Sequence, residues 1–414
     1  MRYNKAVLAG HFVMSFDRVI NGFLAVVMAP LFFEVTDNKI LQLLSSYAAF
    51  AALYITGPLG AIFFGRIGDK IGRKKALLLS ILGFAVPVFL IGICPTYKTI
   101  GFAAPVLLIF LRLIQGFFDG SEYPGVLIHN YEIGNKKVSS SANIISWGGL
   151  GGLTGALICW GITQGDMPSW SWRIPFLVGG GLAFVVYIFR TRIPETDDFI
   201  VILEKHQVLS TPIKELFSKY RLEMMVSILV CAAYSSFMYS SMMFGNRLFQ
   251  QAGYTVSQSM LFCVVNLLWN SIALTIFGKL AECIGMTKQI RISLISIMII
   301  ALPVSRLISG EMTIWNIYAY MFIISSLGTL ILSCSANYVM KLFPSSCRYS
   351  GFAITDSIGS IAGGFTPFMM LLFSELFGTN LACSIWFYII ALPTLALITI
   401  MERKKELQAH SIDA

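Results

Sequence analysis

Charge is what this chain of 414 residues has least of: Asp, Glu, Lys and Arg make up 12% of it, while 56% is hydrophobic and the mean hydropathy is +0.75. A soluble globular protein carries about a quarter charged residues, so a large solvated surface is excluded. Strand-like alternation is absent too, which favours a helical bundle over a membrane barrel. The eight cysteines (Cys94, Cys159, Cys231, Cys263, Cys283, Cys334, Cys347 and Cys383) are scattered, with no CxxC pair and no histidine at metal-ligand spacing. They read as small apolar filler, and no metal or other cofactor is expected. No Walker motif or phosphate loop occurs, so the chain is not itself an ATP-driven pump. No nucleophile–base or metal constellation argues for an enzyme. No polar segment with a small-residue cleavage site follows the first apolar run, so the expectation is that this run is itself a span.

What is present is apolar length. Twelve runs stand out, at about 7–33, 42–65, 76–94, 103–130, 139–163, 172–190, 223–250, 257–281, 290–309, 313–340, 349–375 and 381–400. A helix needs about 20 apolar residues to cross a hydrocarbon core of about 30 Å. The expected fold is therefore an all-α integral membrane protein with twelve transmembrane helices, multi-pass, in a plasma membrane such as the bacterial inner membrane.

The net charge of +9 is distributed by loop. Arg2 and Lys5 precede the first run; Arg66, Lys70, Arg73, Lys74 and Lys75 follow the second; Lys136 and Lys137 follow the fourth. Lys279, Lys288 and Arg291 follow the eighth, and Arg403, Lys404 and Lys405 follow the twelfth, whereas the alternate loops hold only Lys39, Lys98, Arg247 and Arg306. By the positive-inside rule both termini are cytoplasmic. The excess charge marks topology and a lipid bilayer, not a nucleic-acid partner.

The one long polar segment, 190–222, divides the runs six and six. The expected organisation is a six-helix bundle over 1–190, a cytoplasmic linker over 191–222, a second six-helix bundle over 223–402, and a short cytoplasmic tail over 403–414. An internal repeat supports the division. "FGRIGDKIGRKKA" (64–76) aligns without gaps with "FGKLAECIGMTKQ" (277–289), each just after the second run of its half. Two parallel six-helix repeats with a site between them near midplane is a transporter organisation.

Several segments carry a closer resemblance. "GRIGDKIGRKK" is similar to the loop between helices two and three of the major facilitator superfamily. "RLIQGFFDGSEYPG" (112–125) resembles the helix-four motif R-x-x-Q-G-x-x-x-G-x-E-Y of its metabolite:proton symporters, the group of proline/betaine, citrate, shikimate and α-ketoglutarate transporters. "WRIPFLVGGGLAFVVYIFRTRIPET" (172–196), "NGFLAVVMAPLFF" (21–33), "LFPSSCRYSGFA" (342–353) and "GGFTP" (363–367) resemble that group in order along the chain. The chain departs from the pattern at Met14, Arg18, Gly57 and Lys341, and the residues after the twelfth run are too few for the long coiled-coil tail of the osmosensing betaine members. The resemblance implies the major facilitator fold, alternating access, and a monomer that imports a small polar metabolite with protons. An amino acid, a betaine-like zwitterion and an organic carboxylate all fit. A proton-driven exporter, and a membrane sensor that binds without transport, are the other readings.

An ionisable group at the bilayer centre is costly and usually has a use. Asp17 and Arg18 lie about ten residues, roughly 15 Å, into the first run, near midplane, and Arg112 lies similarly deep in the fourth. Asp17 and Arg112 are the expected proton-coupling pair, as the resemblance also implies. Arg112, Gln115, Asp119, Glu122, His129 and Glu132 recur at helical spacing, which predicts one inward polar stripe. Asp119 and Glu132 are expected at a cytoplasmic gate, and Glu122 either there or in the proton path. In the first repeat loop Gly65, Asp69, Arg73 and Lys74 are the candidate conformational lock, with Asp69 and Arg73 pairing with each other or with a helix N-terminus; Lys279 and Glu282 are the counterpart. The glycines of "SWGGLGGLTGA" (146–156) read as a helix-packing surface. Candidate substrate contacts are Arg18 (for a carboxylate), Asn21, Tyr47, Tyr54, Trp147, Tyr234, Asn266, Asn270 and Asp356, with Tyr239 and Trp269 beside them.

Overall fold

The computed structural model describes residues 5–33, 39–133, 137–164, 168–205, 209, 212–310 and 312–413. Arg2 and Lys136 lie outside the described residues, as do the side chains of Lys39 and Lys405. In hydrocarbon a segment must satisfy its own backbone N–H and C=O groups, and the apolar runs do so as helices. Among the described residues, twelve are long and apolar enough to cross a membrane: α1 (Lys5–Phe32), α2 (Ile40–Lys70), α3 (Arg73–Ile93), α4 (Ala103–Glu132), α5 (Val138–Ile162), α6 (Arg173–Arg190), α7 (Arg221–Gln251), α8 (Val256–Ile284), α9 (Met286–Leu307), α10 (Ile314–Leu342), α11 (Arg348–Phe377) and α12 (Asn380–Lys404). No strand occurs among the described residues. Large apolar side chains such as Ile299, Trp315 and Leu376 stand exposed on the outside of the bundle. Lipid, not water, suits such a surface.

Two details depart from the sequence reading. The fourth run is not one helix: Ala103–Asp119 and Glu122–Glu132 are separate, with the break at Gly120–Ser121. The residues expected as a tail instead prolong the last helix, which runs without interruption over Ser384–Asp413. Arg, Lys, Glu, Leu, Gln and Ala make up most of that extension, and all are good helix formers.

Helices α1–α6 pack among themselves, as do α7–α12, and the seam between the sets is made by α2 along α11 and α5 along α8. The internal repeat builds both halves of that seam. Its two IG glycines take left-handed backbone, Gly72 at φ 136° and Gly285 at φ 90°, where a side chain would be strained. Each begins the next helix, α3 and α9. Gly65 lies against Ser350 of α11, and its counterpart Gly278 lies against Ala142 of α5. Asp69 accepts from the backbone N–H groups of Tyr349 (3.3 Å) and Ser350 (2.9 Å) in the first turn of α11. Glu282 accepts from Ser139 N (2.9 Å) in the first turn of α5. An acid at a helix N-terminus meets the positive end of the macrodipole and unpaired donors. The repeat is thus one contact made twice.

Within the first set, α2 and α4 touch backbone to backbone: Gly60 faces the Phe117 carbonyl, Gly116 the Leu53 carbonyl and Gly120 the Gly57 carbonyl. Gly116→Val is expected to lower stability by at least the ~1–3 kcal/mol of overpacking, since backbone cannot rotate away. Gly161→Val, at a position with nothing within 4 Å of an added Cβ, should leave the unfolding midpoint of the detergent-purified protein unchanged. Equal midpoints for the two variants would contradict the close helix approach.

Candidate functional site

Between the two helix sets lies a cavity of about 170 Å³, walled chiefly by α1, α2, α4, α5, α7, α8 and α11. Its polar wall is built from His11, Arg18, Tyr54, Tyr123, Tyr234, Tyr239, Asn270 and Asp356. His11, Ser15 and Arg18 reach it together because residues spaced by four and three share one face of α1. The glycines of α5 make room: Gly148 lies against the His11 ring and Gly149 against Ser271 of α8.

Arg18 does not stand free in this cavity. Its Nη2 donates to both Asp119 oxygens at 3.3 Å. Opposite, Tyr234 Oη donates to Asp356 Oδ1 at 2.5 Å, and the Tyr54 and Tyr239 hydroxyls share a hydrogen bond of 2.5 Å. Asn270 Oδ1 accepts from Thr329 Oγ1 (2.8 Å), which leaves its N–H groups as donors.

One residue along, Asp17 points away from the cavity into the first helix set and is 1% exposed. Gln115 Nε2 donates to Asp17 Oδ2 at 2.5 Å, and Asn21 Nδ2 donates to the same oxygen at 2.8 Å. Asp17 Oδ1 has no hydrogen-bond partner among the described residues. Arg112 Nη1 donates to Gln115 Oε1 at 2.8 Å and its guanidinium lies over the Phe176 ring at 5.4 Å. Asp17 and Arg112 therefore meet through an amide rather than directly. Gln115 suits that place because its amide offers a donor to the acid and an acceptor to the base.

A second charged network closes the end of the bundle where the basic loops lie. Arg73 Nε donates to Glu132 Oε2 (3.0 Å), its Nη1 to Gly68 O (2.6 Å) and its Nη2 to Ser345 O (3.1 Å) beyond the seam. Asp69 lies 3.5 Å from the same guanidinium. Glu132 also accepts from Thr196 Oγ1 (2.9 Å) and from Arg348 Nη1 (3.3 Å), and Arg348 reaches Asp198 as well (3.2 Å). Glu195 accepts from the backbone N–H groups of Arg73 (3.0 Å) and Lys74 (3.3 Å), capping α3. Both contacts expected of Asp69 and Arg73 occur, and Gly65 touches α11 beside them.

Other expectations come out differently. Every member of the polar stripe except Asp119 is buried, and with the break at Gly120–Ser121 the stripe is divided among three surroundings. Asp119, expected at the gate, is instead beside the cavity, where it pairs with Arg18, the residue offered for a substrate carboxylate. Glu122 faces neither cavity nor seam; it pairs with Arg190 at 2.5 Å and accepts from Ser80 Oγ at 2.7 Å, inside the first helix set. His129 contacts the Pro194 carbonyl at 3.2 Å. Of the substrate candidates, Arg18, Tyr54, Tyr234, Asn270 and Asp356 line the cavity, as does Tyr239. Asn21 serves Asp17, Asn266 is bonded to Ser325 and Ser241, Trp269 donates to Ser326, and Tyr47 lies in an apolar cluster with Ala25 and Leu371. Trp147 is 51% exposed on the outer side of α5 and α8, away from the cavity. Lys279 is exposed and the Lys74 side chain half-exposed, so in the second repeat the acid alone makes the seam contact. All eight cysteines are free and seven are buried.

Sequence reasoning passed over His11, Tyr123, Glu195 and Arg348. The spacing of His11 to Arg18, one heptad on the same helix, was a legible signal. Glu195 and Arg348 lie in segments that carry the family resemblance, but spacing could not name their partners, 122 and 216 residues away along the chain.

A family model described as Major Facilitator Superfamily matches residues 7–367. The chain is 26% identical over 385 residues to the proline/betaine transporter of Escherichia coli (strain K12), which covers 88% of this chain and 77% of that protein. It is likewise 26% identical over 394 residues to the citrate-proton symporter of Klebsiella pneumoniae, covering 92% and 87%. Among solved structures, the crystal structure of D-xylose-proton symporter superposes with a TM-score of 0.72 at 15% identity, over 95% of this chain and 96% of that one.

Proposed function

The chain belongs to the Major Facilitator Superfamily, and from that premise we propose that it is a symporter that imports a small polar metabolite by coupling it to protons. The observation that carries the coupling is Asp17: a fully buried carboxyl, held on one oxygen by Gln115 and Asn21, with Arg112 one amide away. A carboxyl so placed can take a proton on its other oxygen without losing those two bonds. Protonation removes the charge that Arg112 balances, and with it the reason for helices α1 and α4 to keep their present register. Arg18, adjacent in sequence, lines the cavity, so a shift of α1 is felt at the solute.

Alternating access then exchanges the seam contacts at one end for those at the other. Asp69, Arg73, Glu132 and Arg348 close the basic end, which we take as cytoplasmic on the loop-charge bias, with both termini on that side. Residues 1–190 and 223–402 act as the two moving bundles, joined by the linker 191–222. Among the relatives, one is named for proline and betaine and one for citrate; the solute here is of that general class, small and polar. The protein works as a monomer in a bacterial inner membrane.

Proteoliposome uptake tests this. Under an inward proton gradient, proline, glycine betaine or citrate should accumulate, and a protonophore should reduce accumulation to equilibration. Equal uptake with and without the gradient would contradict symport.

A further inference from the structure

The two permanent charges on the cavity wall, Arg18 and Asp356, are not paired with each other. Arg18 is the one lysine or arginine on the lining among the described residues, and Asp119 holds it through both oxygens at 3.3 Å. Asp119 lies behind that wall; Asp356 is the carboxylate on it, and no basic side chain is within ion-pair distance of it among the described residues. Asp356 accepts a hydrogen bond from the Tyr234 hydroxyl at 2.5 Å. With Asp119 counted beside the cavity, two acids thus share one fixed cation, Arg18; His11 adds a charge only when protonated.

Resting on the symporter reading above, we infer that the solute carries a positively charged nitrogen, which docks between Asp356 and the neighbouring tyrosines. A carboxylate in a low-dielectric setting is poorly tolerated without a counter-ion, and an incoming cation supplies one. The surroundings fit that group. Tyr54, Tyr123, Tyr234 and Tyr239 all line the cavity, and tyrosine rings attract ammonium and quaternary ammonium groups through their negative faces. A carboxylate on the same solute has donors available in Ser15 and in the Asn270 amide, whose oxygen is already engaged by Thr329. A solute bearing only carboxylates meets the reverse. Arg18 would have to leave Asp119 to receive it, and Asp356 would repel it. The cavity therefore selects against free polycarboxylates by charge, not by size.

Thermal unfolding of the purified full-length protein in detergent, with glycine betaine, L-proline, choline and citrate as separate probes, tests the assignment. At least one nitrogen compound should raise the unfolding midpoint in a saturable way, and citrate should not. Choline against glycine betaine shows whether the carboxylate adds anything. Asp356→Asn should weaken the responding probe by roughly 30-fold or more, the loss seen when one member of a buried charge pair is truncated, while Asp356→Glu keeps most of the response. If Asp356→Asn does not fold, the probe order on the unaltered protein decides. Stabilisation by citrate, by no nitrogen compound, or with unchanged affinity in Asp356→Asn overturns the inference. Nitrogen-compound binding without gradient-driven accumulation in proteoliposomes would instead sink the symporter reading and leave this one standing. Gradient-driven accumulation of citrate would do the opposite.

Discussion

Asp17→Asn is expected to abolish accumulation of solute against its gradient while leaving solute exchange intact. The substitution keeps the shape of the side chain. Gln115 Nε2 and Asn21 Nδ2, which both donate to Asp17 Oδ2, find the same acceptor in the asparagine carbonyl. The new amide then occupies the place of Oδ1, the oxygen without a partner among the described residues. Packing survives, but the group no longer titrates. A charge crossing 100 mV carries about 2.3 kcal/mol, which is roughly 50-fold in concentration at ~1.4 kcal/mol per tenfold. With one proton per neutral solute, the unaltered protein should reach that order of accumulation and Asp17→Asn should fall to equilibration. Counterflow, in which labelled solute enters vesicles preloaded with unlabelled solute, should continue at a comparable rate. Accumulation that persists in the variant would remove Asp17 from the coupling step. Loss of counterflow as well would make it a structural residue.

The second large effect is expected at Arg73, whose side chain is completely buried. Its guanidinium serves Glu132, Asp69, and the carbonyls of Gly68 and Ser345, and it lies over Phe199 at 4.9 Å. Arg73→Ala leaves two buried carboxylates, of which Glu132 keeps Arg348 and Asp69 keeps the N-terminus of α11. Breaking a buried pair in this way costs about 3–5 kcal/mol. That cost falls on the conformation in which the basic end is closed. Full inversion of a 99:1 preference needs about 5.5 kcal/mol, so the variant should populate the opposite conformation to parity or beyond. Single cysteines placed along the cavity-facing side of α1 or α11 should then label from the basic end. Arg73→Lys keeps the charge but not the fork of donors, and should fall between the two. Labelling unchanged in Arg73→Ala would show that the helix-terminus contacts hold the seam without it.

Helix number, membrane residence and the repeat were legible in the sequence because each depends on local pattern. Twelve apolar runs can only be helices in lipid, and a glycine–acid motif written twice makes the same turn twice. The glycines Gly72 and Gly285 illustrate this: each sits where positive φ is required, and each is visible as part of "IG" in the alignment. Helical spacing also placed Arg112, Glu122 and Glu132 on one inward stripe, and all three are buried.

Pairing was not legible, because it depends on how helices rotate and approach one another. Spacing put Asp17 and Arg112 at similar depth, but only packing inserted Gln115 between them. It likewise turned Arg18 to the cavity and joined it to Asp119, 101 residues on. The break at Gly120–Ser121 separated Asp119 from Glu122, sending one to the cavity and the other to Arg190 in the interior of the first helix set. The sequence by itself thus determined which segments cross the membrane and which charges are kept out of lipid, since a bilayer penalises any other arrangement residue by residue. The tertiary structure alone decided which acid answers which base, because a buried charge takes whatever partner the neighbouring helix turns toward it, and no periodicity within one helix records that rotation.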